Sequence, residues 1–146
     1  MALGESAGGR PGGSLRLETV TAMSSWILVI DDDPWTREAL VAILRRAGYQ
    51  VTAFPGFHQE LAEGSDTPDY QVAIVDFYLP TLNGLEVARR LKELQPECRI
   101  LMISSEPPAV ADLASRDPVV DRFLAKPFSK DAILEVIAQL CPTAAA

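Results

Sequence analysis

Residues 27–36 read ILVIDDDPWT, and this stretch decides the class of fold. A run of four apolar residues is short for a helix and suits a strand that is covered on both faces. The acids that follow end the strand, and Asp33 before Pro34 is a typical helix start, with Asp33 as the N-cap and Pro34 at the first helical position. The stretch therefore predicts a strand that passes directly into a helix, as in α/β proteins.

The same alternation continues along the chain. The apolar runs that predict further strands lie at residues 51–54, 72–75, 100–103 and 123–125. The patterns of helical period lie at residues 34–47, 57–63, 84–94, 109–115 and 129–140. Strand and helix in this order predict an α/β fold with a five-stranded parallel sheet, right-handed crossovers and helices on both faces.

Apolar stripes show which side of each helix faces the sheet. The helix that ends before Gly48 has a stripe of Trp35, Ala39, Leu40, Ile43, Leu44 and Ala47. The helix that begins after Asn83 has a stripe of Leu85, Ala88, Leu91 and Leu94. The last helix has a stripe of Ile133, Leu134, Ile137 and Leu140. We expect these residues to pack against the sheet.

Length and charge limit the kind of protein. The chain has 146 residues and a formal net charge of -7, from 13 Lys and Arg against 20 Asp and Glu. That size suits a single core, and the acidic balance argues against direct nucleic-acid binding. No apolar run approaches the length that spans a membrane. Cys98 and Cys141 do not form a disulfide framework, so we expect a cytoplasmic protein.

The two ends of the chain differ from the rest. Residues 1–22 contain several glycines and no sustained periodicity, which predicts a flexible extension. Met23 precedes the first patterned segment and is a candidate for the true start of translation. We expect one domain over residues 23–142 and a short tail over residues 143–146.

Polar residues with reactive groups follow four of the predicted strands. In a parallel sheet these positions share one edge, where ligands bind. The residues are Asp31, Asp32, Asp76, Ser104 and Lys126. Alone, each has a structural explanation, since acids suit helix starts and turns and a lysine is usually solvated. Their coincidence at one edge favours a site.

The chemistry of this set indicates a magnesium site. Carboxylates at Asp31, Asp32 and Asp76 would repel one another unless a cation lay between them. A few hard oxygen ligands suit Mg²⁺ better than Zn²⁺, for which the chain has no Cys/His cluster. One carboxylate could then attack a phosphoryl group, while Lys126 and Ser104 stabilise its oxygens.

Four motifs resemble the receiver domain of two-component response regulators. They are ILVIDDD at residues 27–33, VDFYLPTLNG at 75–84, ILMISS at 100–105 and FLAKPF at 123–128. The similarity covers residues 25–140, and the block around Asp76 is its most specific part. It implies a flavodoxin-like doubly wound sheet with strand order 2-1-3-4-5, an order that general accounts of open α/β sheets already illustrate with a member of this family.

The resemblance also implies a role for each site residue. Asp76 would accept a phosphoryl group from a histidine kinase. Asp32, Asp76 and the Tyr78 backbone carbonyl would bind Mg²⁺ directly, with Asp31 holding a coordinated water. Lys126 would be the invariant lysine, with a cis bond to Pro127. Ser104 and Phe123 would be the switch residues, which alter the face formed by the segment after the fourth strand, the fifth strand and the last helix.

The sequence departs from the family between the fourth and fifth strands. Residues 106–108, EPP, allow a helix to begin only with the prolines in or before its first turn. Residues 115–118, SRDP, replace the small residues usual at that point. We expect a short helix there, in the surface through which receivers usually signal.

Tyr78 and Glu106 lie two positions beyond Asp76 and Ser104. In the family these positions influence how water reaches the aspartyl phosphate. We expect the bulky Tyr78 to shield the phosphate and lengthen the signal.

Three functions remain open at this stage. The favoured one is a stand-alone receiver that is a phosphoacceptor and not an enzyme, because too few residues follow Leu140 for an output domain. Its partners would be a histidine kinase or phosphotransfer protein and a downstream protein, and phosphorylation-dependent homodimerisation stays open. The alternatives are a degenerate receiver that is only an interaction module, and a phosphatase resembling the haloacid dehalogenase superfamily with Asp31 as nucleophile.

Overall fold

Strands and helices alternate along the chain in the computed structural model, which describes residues 25–63, 67–105, 112 and 116–141. The strands are β1 (Trp26–Ile30), β2 (Gln50–Phe54), β3 (Tyr70–Asp76), β4 (Arg99–Ser104) and β5 (Arg122–Ala125). The helices are α1 (Pro34–Arg46), α2 (Gln59–Glu63), α3 (Gly84–Leu94) and α4 (Lys130–Leu140). All five predicted strands and four of the five predicted helices are confirmed. The predicted helix over 109–115 falls, apart from Asp112, outside the described residues, as do the extension over 1–22 and the tail over 143–146.

The five strands form one parallel sheet in the order β2-β1-β3-β4-β5, which confirms the expected topology. The apolar runs of the central strands, at residues 27–30, 72–75 and 100–103, are fully buried, as their continuous apolar character predicts. Within the described ranges, no helix is long and apolar enough to cross a membrane.

Helices cover both faces of the sheet, as expected for a doubly wound fold. On one face, Ile27, Val29 and Ile74 belong to a core that α1 and α4 complete. On the other, Leu28, Ile30 and Val75 belong to a core with residues of α2 and α3. Successive residues of one strand enter opposite cores because side chains alternate across a strand.

The predicted stripe of α1 is wider than the buried part of the helix. Leu40 and Leu44 are buried, but Trp35 is 81% exposed and Ala39 and Ala47 are exposed too. The expectation that Trp35 packs against the sheet was therefore wrong. A helix on a sheet buries only the side that faces the strands, and Trp35, in the first turn, lies on the edge of that side.

The stripes of α3 and α4 need smaller corrections. In α3 the buried residues are Gly84, Val87, Ala88 and Leu91. Leu94, the last residue of the helix, is 42% exposed. In α4, Val136 joins Ile133, Ile137 and Leu140 in the core, and Leu134 is half-buried.

Side-chain caps fix where the helices begin. The Asp33 carboxylate accepts hydrogen bonds from the backbone N–H groups of Trp35 and Thr36, which confirms Asp33 as the N-cap of α1. Asn83 and Ser129 cap α3 and α4 in the same way. Gly48, after α1, has a φ of 101°, a conformation that glycine adopts without strain.

Ion pairs tie the segment before β5 to helix α3. Arg89 lies 2.6 Å from the Asp117 carboxylate, and Lys92 lies 3.3 Å from that of Asp121. Asp121 also accepts a hydrogen bond of 2.7 Å from the Ile100 N–H, at the start of β4. Asp117 belongs to the part of the sequence that departs from the family pattern. Its ion pair with Arg89 joins the segment before β5 to helix α3.

Gly84 lets α3 approach β3 closely. A Cβ atom at this position would meet the Asp76 carbonyl oxygen, and it would lie 2.7 Å from the Phe77 Cα and 2.9 Å from the Met102 sulfur. Two of these neighbours are backbone atoms that cannot give way. The first residue of α3 is therefore restricted to glycine by the strand that ends in Asp76.

We expect Gly84→Ala to lower the free energy of unfolding by about 2–3 kcal/mol, as overpacking does. The clash should outweigh the gain of about 1 kcal/mol that alanine brings to a helix. The matched control is Gly56→Ala, because nothing lies within 4 Å of a Cβ there. Urea unfolding measures both variants, and equal stabilities would contradict the close contact.

Candidate functional site

The carboxyl edge of the sheet brings the predicted site residues together. Asp31 follows β1, Asp76 ends β3 and Lys126 follows β5. One carboxylate oxygen from each of Asp31, Asp32 and Asp76 can be chosen so that all three lie within 4.8 Å of one another. The Lys126 ammonium lies 3.0 Å from Asp31 Oδ2 and 3.5 Å from Asp76 Oδ2.

Strand register explains this convergence. Ile30 of β1 lies opposite Val75 of β3, so the next residues, Asp31 and Asp76, stand side by side. Across the other edge of β3, Asp76 lies opposite Ile103 of β4. Beyond the last register pair of β4 and β5, the Lys126 N–H donates a 2.9 Å hydrogen bond to the Ser104 carbonyl. The ladders thus position the acids and the lysine without any help from long loops.

The three acids differ in burial. Asp31 is fully buried, Asp76 is 6% exposed and Asp32 is exposed. Asp31 Oδ1 accepts a 2.9 Å hydrogen bond from the Asp33 N–H. Asp31 Oδ2 has the Lys126 ammonium nearby, but within the described part of the chain no donor with hydrogen-bond geometry points at it.

This arrangement fits a hard divalent cation. A buried carboxylate oxygen that accepts no hydrogen bond from the described residues, such as Asp31 Oδ2, is costly. The carboxylates of Asp31, Asp32 and Asp76 are also close enough to one another to share one cation. Oxygen ligands from one exposed and two buried acids leave room for water and a phosphoryl oxygen, as Mg²⁺ requires.

Burial and neighbouring charges shift the acid–base properties of two groups. Burial, together with the neighbouring Asp31 charge and partly opposed by Lys126, raises the pKa of Asp76 to about 6. Burial alone would lower the pKa of Lys126, but the adjacent Asp31 and Asp76 carboxylates together raise it above its usual value. Lys126 therefore stays charged beside an acid that is poorly solvated.

The remaining predicted residues surround this cluster. Ser104, the last residue of β4, is buried. Phe123 is half-buried and lies opposite Met102 in the sheet. Tyr78 is half-exposed, and its ring lies edge-on to Phe77, with 4.9 Å between the ring centroids. The Lys126–Pro127 peptide bond is cis, as the resemblance implied.

Sequence reasoning missed one residue that contacts the acidic segment. The Arg37 guanidinium in α1 donates a 2.8 Å hydrogen bond to the Asp31 backbone carbonyl. The available signal was its position, one turn into the helix that Asp33 caps. Side chains in that turn can reach back to the preceding strand end.

A groove opens between α1 and the segment 126–128, which follows β5. It has a volume of about 490 Å³. Its lining includes Trp35, Ala39 and Ile43 from the outer side of α1, with Pro127 and Phe128. The exposed half of the α1 stripe therefore forms an apolar surface next to the acidic cluster.

Comparison with known proteins identifies a family for most of this chain. Residues 27–138 match the family described as the response regulator receiver domain. Over 113 residues the chain is 35% identical to the response regulator MprA of Mycobacterium tuberculosis. The matched region makes up 77% of this chain and 48% of that protein. The chain thus spans about half the length of the curated relatives it matches.

Two solved structures are similar to the fold described here. Response regulator TrrA of Thermotoga maritima, in complex with Mg²⁺ and BeF, is 28% identical with a TM-score of 0.67 over 80% of this chain and 98% of that one. A response regulator of Burkholderia pseudomallei with a phosphorylated aspartic acid and a calcium ion is 31% identical, with a TM-score of 0.65 over 84% of this chain and 69% of that one.

The raised pKa of Asp76 has a consequence for stability. An acid whose pKa is higher in the folded state than in the unfolded state binds its proton more tightly when folded, so its ionised form destabilises the fold at higher pH. Asp76→Asn should therefore stabilise the metal-free protein at pH 7.5, on the order of 2 kcal/mol. The gain should shrink as pH falls through about 6 towards 4.

Chemical unfolding in EDTA at several pH values measures this gain. The exposed Asp69 provides the control variant, Asp69→Asn. A gain that is the same at pH 4 and pH 7.5, or a loss of stability, would contradict the proposed burial of the Asp76 charge.

Proposed function

The chain belongs to the response regulator receiver domain family, and we propose that Asp76 accepts a phosphoryl group from the phosphohistidine of a sensor histidine kinase or phosphotransfer protein. Members of this family are signalling phosphoacceptors rather than classical enzymes. The observation that carries the proposal is the surroundings of Asp76. A poorly solvated carboxylate lies 3.5 Å from a lysine ammonium and beside two further acids.

In the proposed reaction an Asp76 carboxylate oxygen forms a bond to phosphorus. The bond between phosphorus and the donor's histidine nitrogen breaks, and its electron pair stays on that nitrogen. Asp31, Asp32, Asp76 and the Tyr78 backbone carbonyl would hold Mg²⁺. When bound, the cation supplies positive charge against the phosphoryl oxygens.

The protein's own groups contribute charge and position. Lys126 is already 3.0 Å from Asp31 and 3.5 Å from Asp76, so its ammonium can stabilise a phosphoryl oxygen with little reorganisation. The Ser104 hydroxyl, at the end of the neighbouring strand, is proposed to bind another of these oxygens.

The proposed output is a shift between two conformations. Phosphate on Asp76 would draw Ser104 inward and let Phe123 occupy the vacated space. The change would then reach the face formed by the predicted helix over residues 109–115, β5 and α4. Apart from Asp112, that predicted helix lies outside the described part of the chain.

The groove beside Lys126 supports a protein as phosphodonor. Trp35, which lines this groove together with Lys126, is 81% exposed. Large apolar side chains at such a position are typical of protein interfaces. We further propose a cytoplasmic location and an output through a downstream protein.

The comparisons bear on one of the two alternative functions, the phosphatase, but not on the interaction module. The family match across residues 27–138 favours a receiver over the dehalogenase-like phosphatase. An interaction module without phosphorylation is distinguished only by experiment. The prediction that the chain acts without an output domain of its own also stays a prediction, because the relatives it matches are about twice as long.

The direct test is incubation with acetyl phosphate and Mg²⁺ followed by intact-mass measurement. We expect the addition of one phosphoryl group that is lost in alkali, absent in EDTA and absent in Asp76→Asn. Asp69→Asn serves as the control that should be modified like the wild type. No addition under any donor condition would favour the interaction module, and an addition mapped to Asp31 would favour the phosphatase.

Tyr78 generates a second prediction about the phosphorylated state. If its half-exposed ring shields the aspartyl phosphate from water, Tyr78→Ala should shorten the lifetime of the phosphate several-fold. Tyr78→Phe keeps the ring and should retain the wild-type lifetime. Loss of the phosphoryl mass over time, after removal of the donor, measures both, and an unchanged lifetime in Tyr78→Ala would show that the ring does not shield.

A further inference from the structure

We propose that Arg37 is a positioning residue for the acidic pocket, and that its guanidinium orients the peptide between Asp31 and Asp32 so that both carboxylates face one cation. The inference rests on the proposed function, because it concerns the Mg²⁺ that phosphorylation would require. It is carried by the 2.8 Å hydrogen bond from Arg37 Nη1 to the Asp31 carbonyl.

Arg37 is itself firmly placed. Its backbone N–H donates a 2.9 Å hydrogen bond to the Asp33 carbonyl, within the first turn of α1. That turn is fixed by the Asp33 cap, whose carboxylate also accepts a 2.6 Å hydrogen bond from the Thr36 hydroxyl. The guanidinium thus reaches back from a rigid helix start to the end of β1.

Asp31 is held at every polar atom but one. Its N–H donates a 3.2 Å hydrogen bond to the Phe54 carbonyl, and its Oδ1 accepts one of 2.9 Å from the Asp33 N–H. The Arg37 bond completes the set by binding the carbonyl. Oδ2, beside Lys126, is left to face the pocket.

The Arg37 bond acts on Asp32 through the peptide plane. A peptide group is planar, so the direction of the Asp31 carbonyl sets the positions of the Asp32 N and Cα. Asp32 is exposed and cannot rely on packing to hold its carboxylate. A planar guanidinium loses little freedom when it donates a hydrogen bond and is suited to this task.

A purely electrostatic role for Arg37 makes the opposite prediction. A positive charge close to the pocket repels Mg²⁺, so removing the charge alone would tighten Mg²⁺ binding. Removing an orienting hydrogen bond would weaken it. The sign of the change in affinity therefore separates the two roles.

The experiment compares Arg37→Met with Arg45→Met in the full chain. Arg45 lies on the same helix and also donates to a strand carbonyl, with 3.2 Å from its Nη2 to the Val51 oxygen. Val51 lies near the start of β2, away from the carboxyl edge. Both variants lose one positive charge and one hydrogen bond of the same kind, and only one of these bonds adjoins the pocket.

Isothermal titration calorimetry with MgCl₂ gives the affinity, and urea unfolding in EDTA gives the metal-free stability. We expect Arg37→Met to weaken Mg²⁺ binding by about 10-fold, as loss of an outer-shell partner does. Arg45→Met should leave the affinity within about twofold of wild type, and Arg37→Lys, which keeps a donor and the charge, should recover most of the loss.

Unchanged or tighter Mg²⁺ binding in Arg37→Met would overturn the inference, as would an equal loss in Arg45→Met. If Arg37→Met does not fold, Arg37→Gln takes its place and must bind Mg²⁺ more weakly than wild type. Failure of the wild type to bind Mg²⁺ would instead overturn the proposed function. The two failures are therefore distinguishable in one data set.

Discussion

Two carboxylates held side by side at the end of the sheet are the constraint on which this site depends. The parallel register of β1 and β3 places Asp31 next to Asp76, and both are almost completely removed from water. Burial is the main reason that the pKa of Asp76 rises to about 6, and repulsion by the Asp31 charge adds to it despite the nearby lysine. The free protein therefore contains an electrostatic cost that a cation would relieve.

The charged residues around the pocket only partly offset this repulsion. Lys126 supplies a single positive charge against three acids, so the cluster keeps a net negative charge. The Asp33 carboxylate next to the pocket is occupied by the first turn of α1, and its hydrogen bond to Thr36 is the main reason that its pKa is lowered. Of the three consecutive acids, Asp33 thus caps helix α1, while Asp31 and Asp32 belong to the acidic cluster.

The sequence was sufficient to predict most of the fold and the cluster. Continuous apolar runs identified buried strands, and the residue after each run identified the edge where Asp31, Asp76 and Lys126 meet. Prediction failed where the apolar stripe of a helix is wider than the part of the helix that the sheet buries. Trp35 has the period of a core residue, but only the three-dimensional path of α1 over the sheet shows that it is exposed. Arg37 escaped notice because its contact is to a backbone carbonyl, an atom that every residue has.

Gly84 links the core to the acidic cluster. The start of α3 lies against the Asp76 carbonyl and the Met102 side chain, and the Gly84 N–H donates a 2.7 Å hydrogen bond to the Phe77 carbonyl. The Phe77 N–H in turn donates to Ile103 on β4, at 2.8 Å. The Phe77 backbone, which directly follows Asp76, is therefore held by both α3 and β4. Because that backbone has little freedom, the proposed phosphoryl group on Asp76 would be accommodated by the surrounding side chains, in line with the proposed response of Ser104 and Phe123.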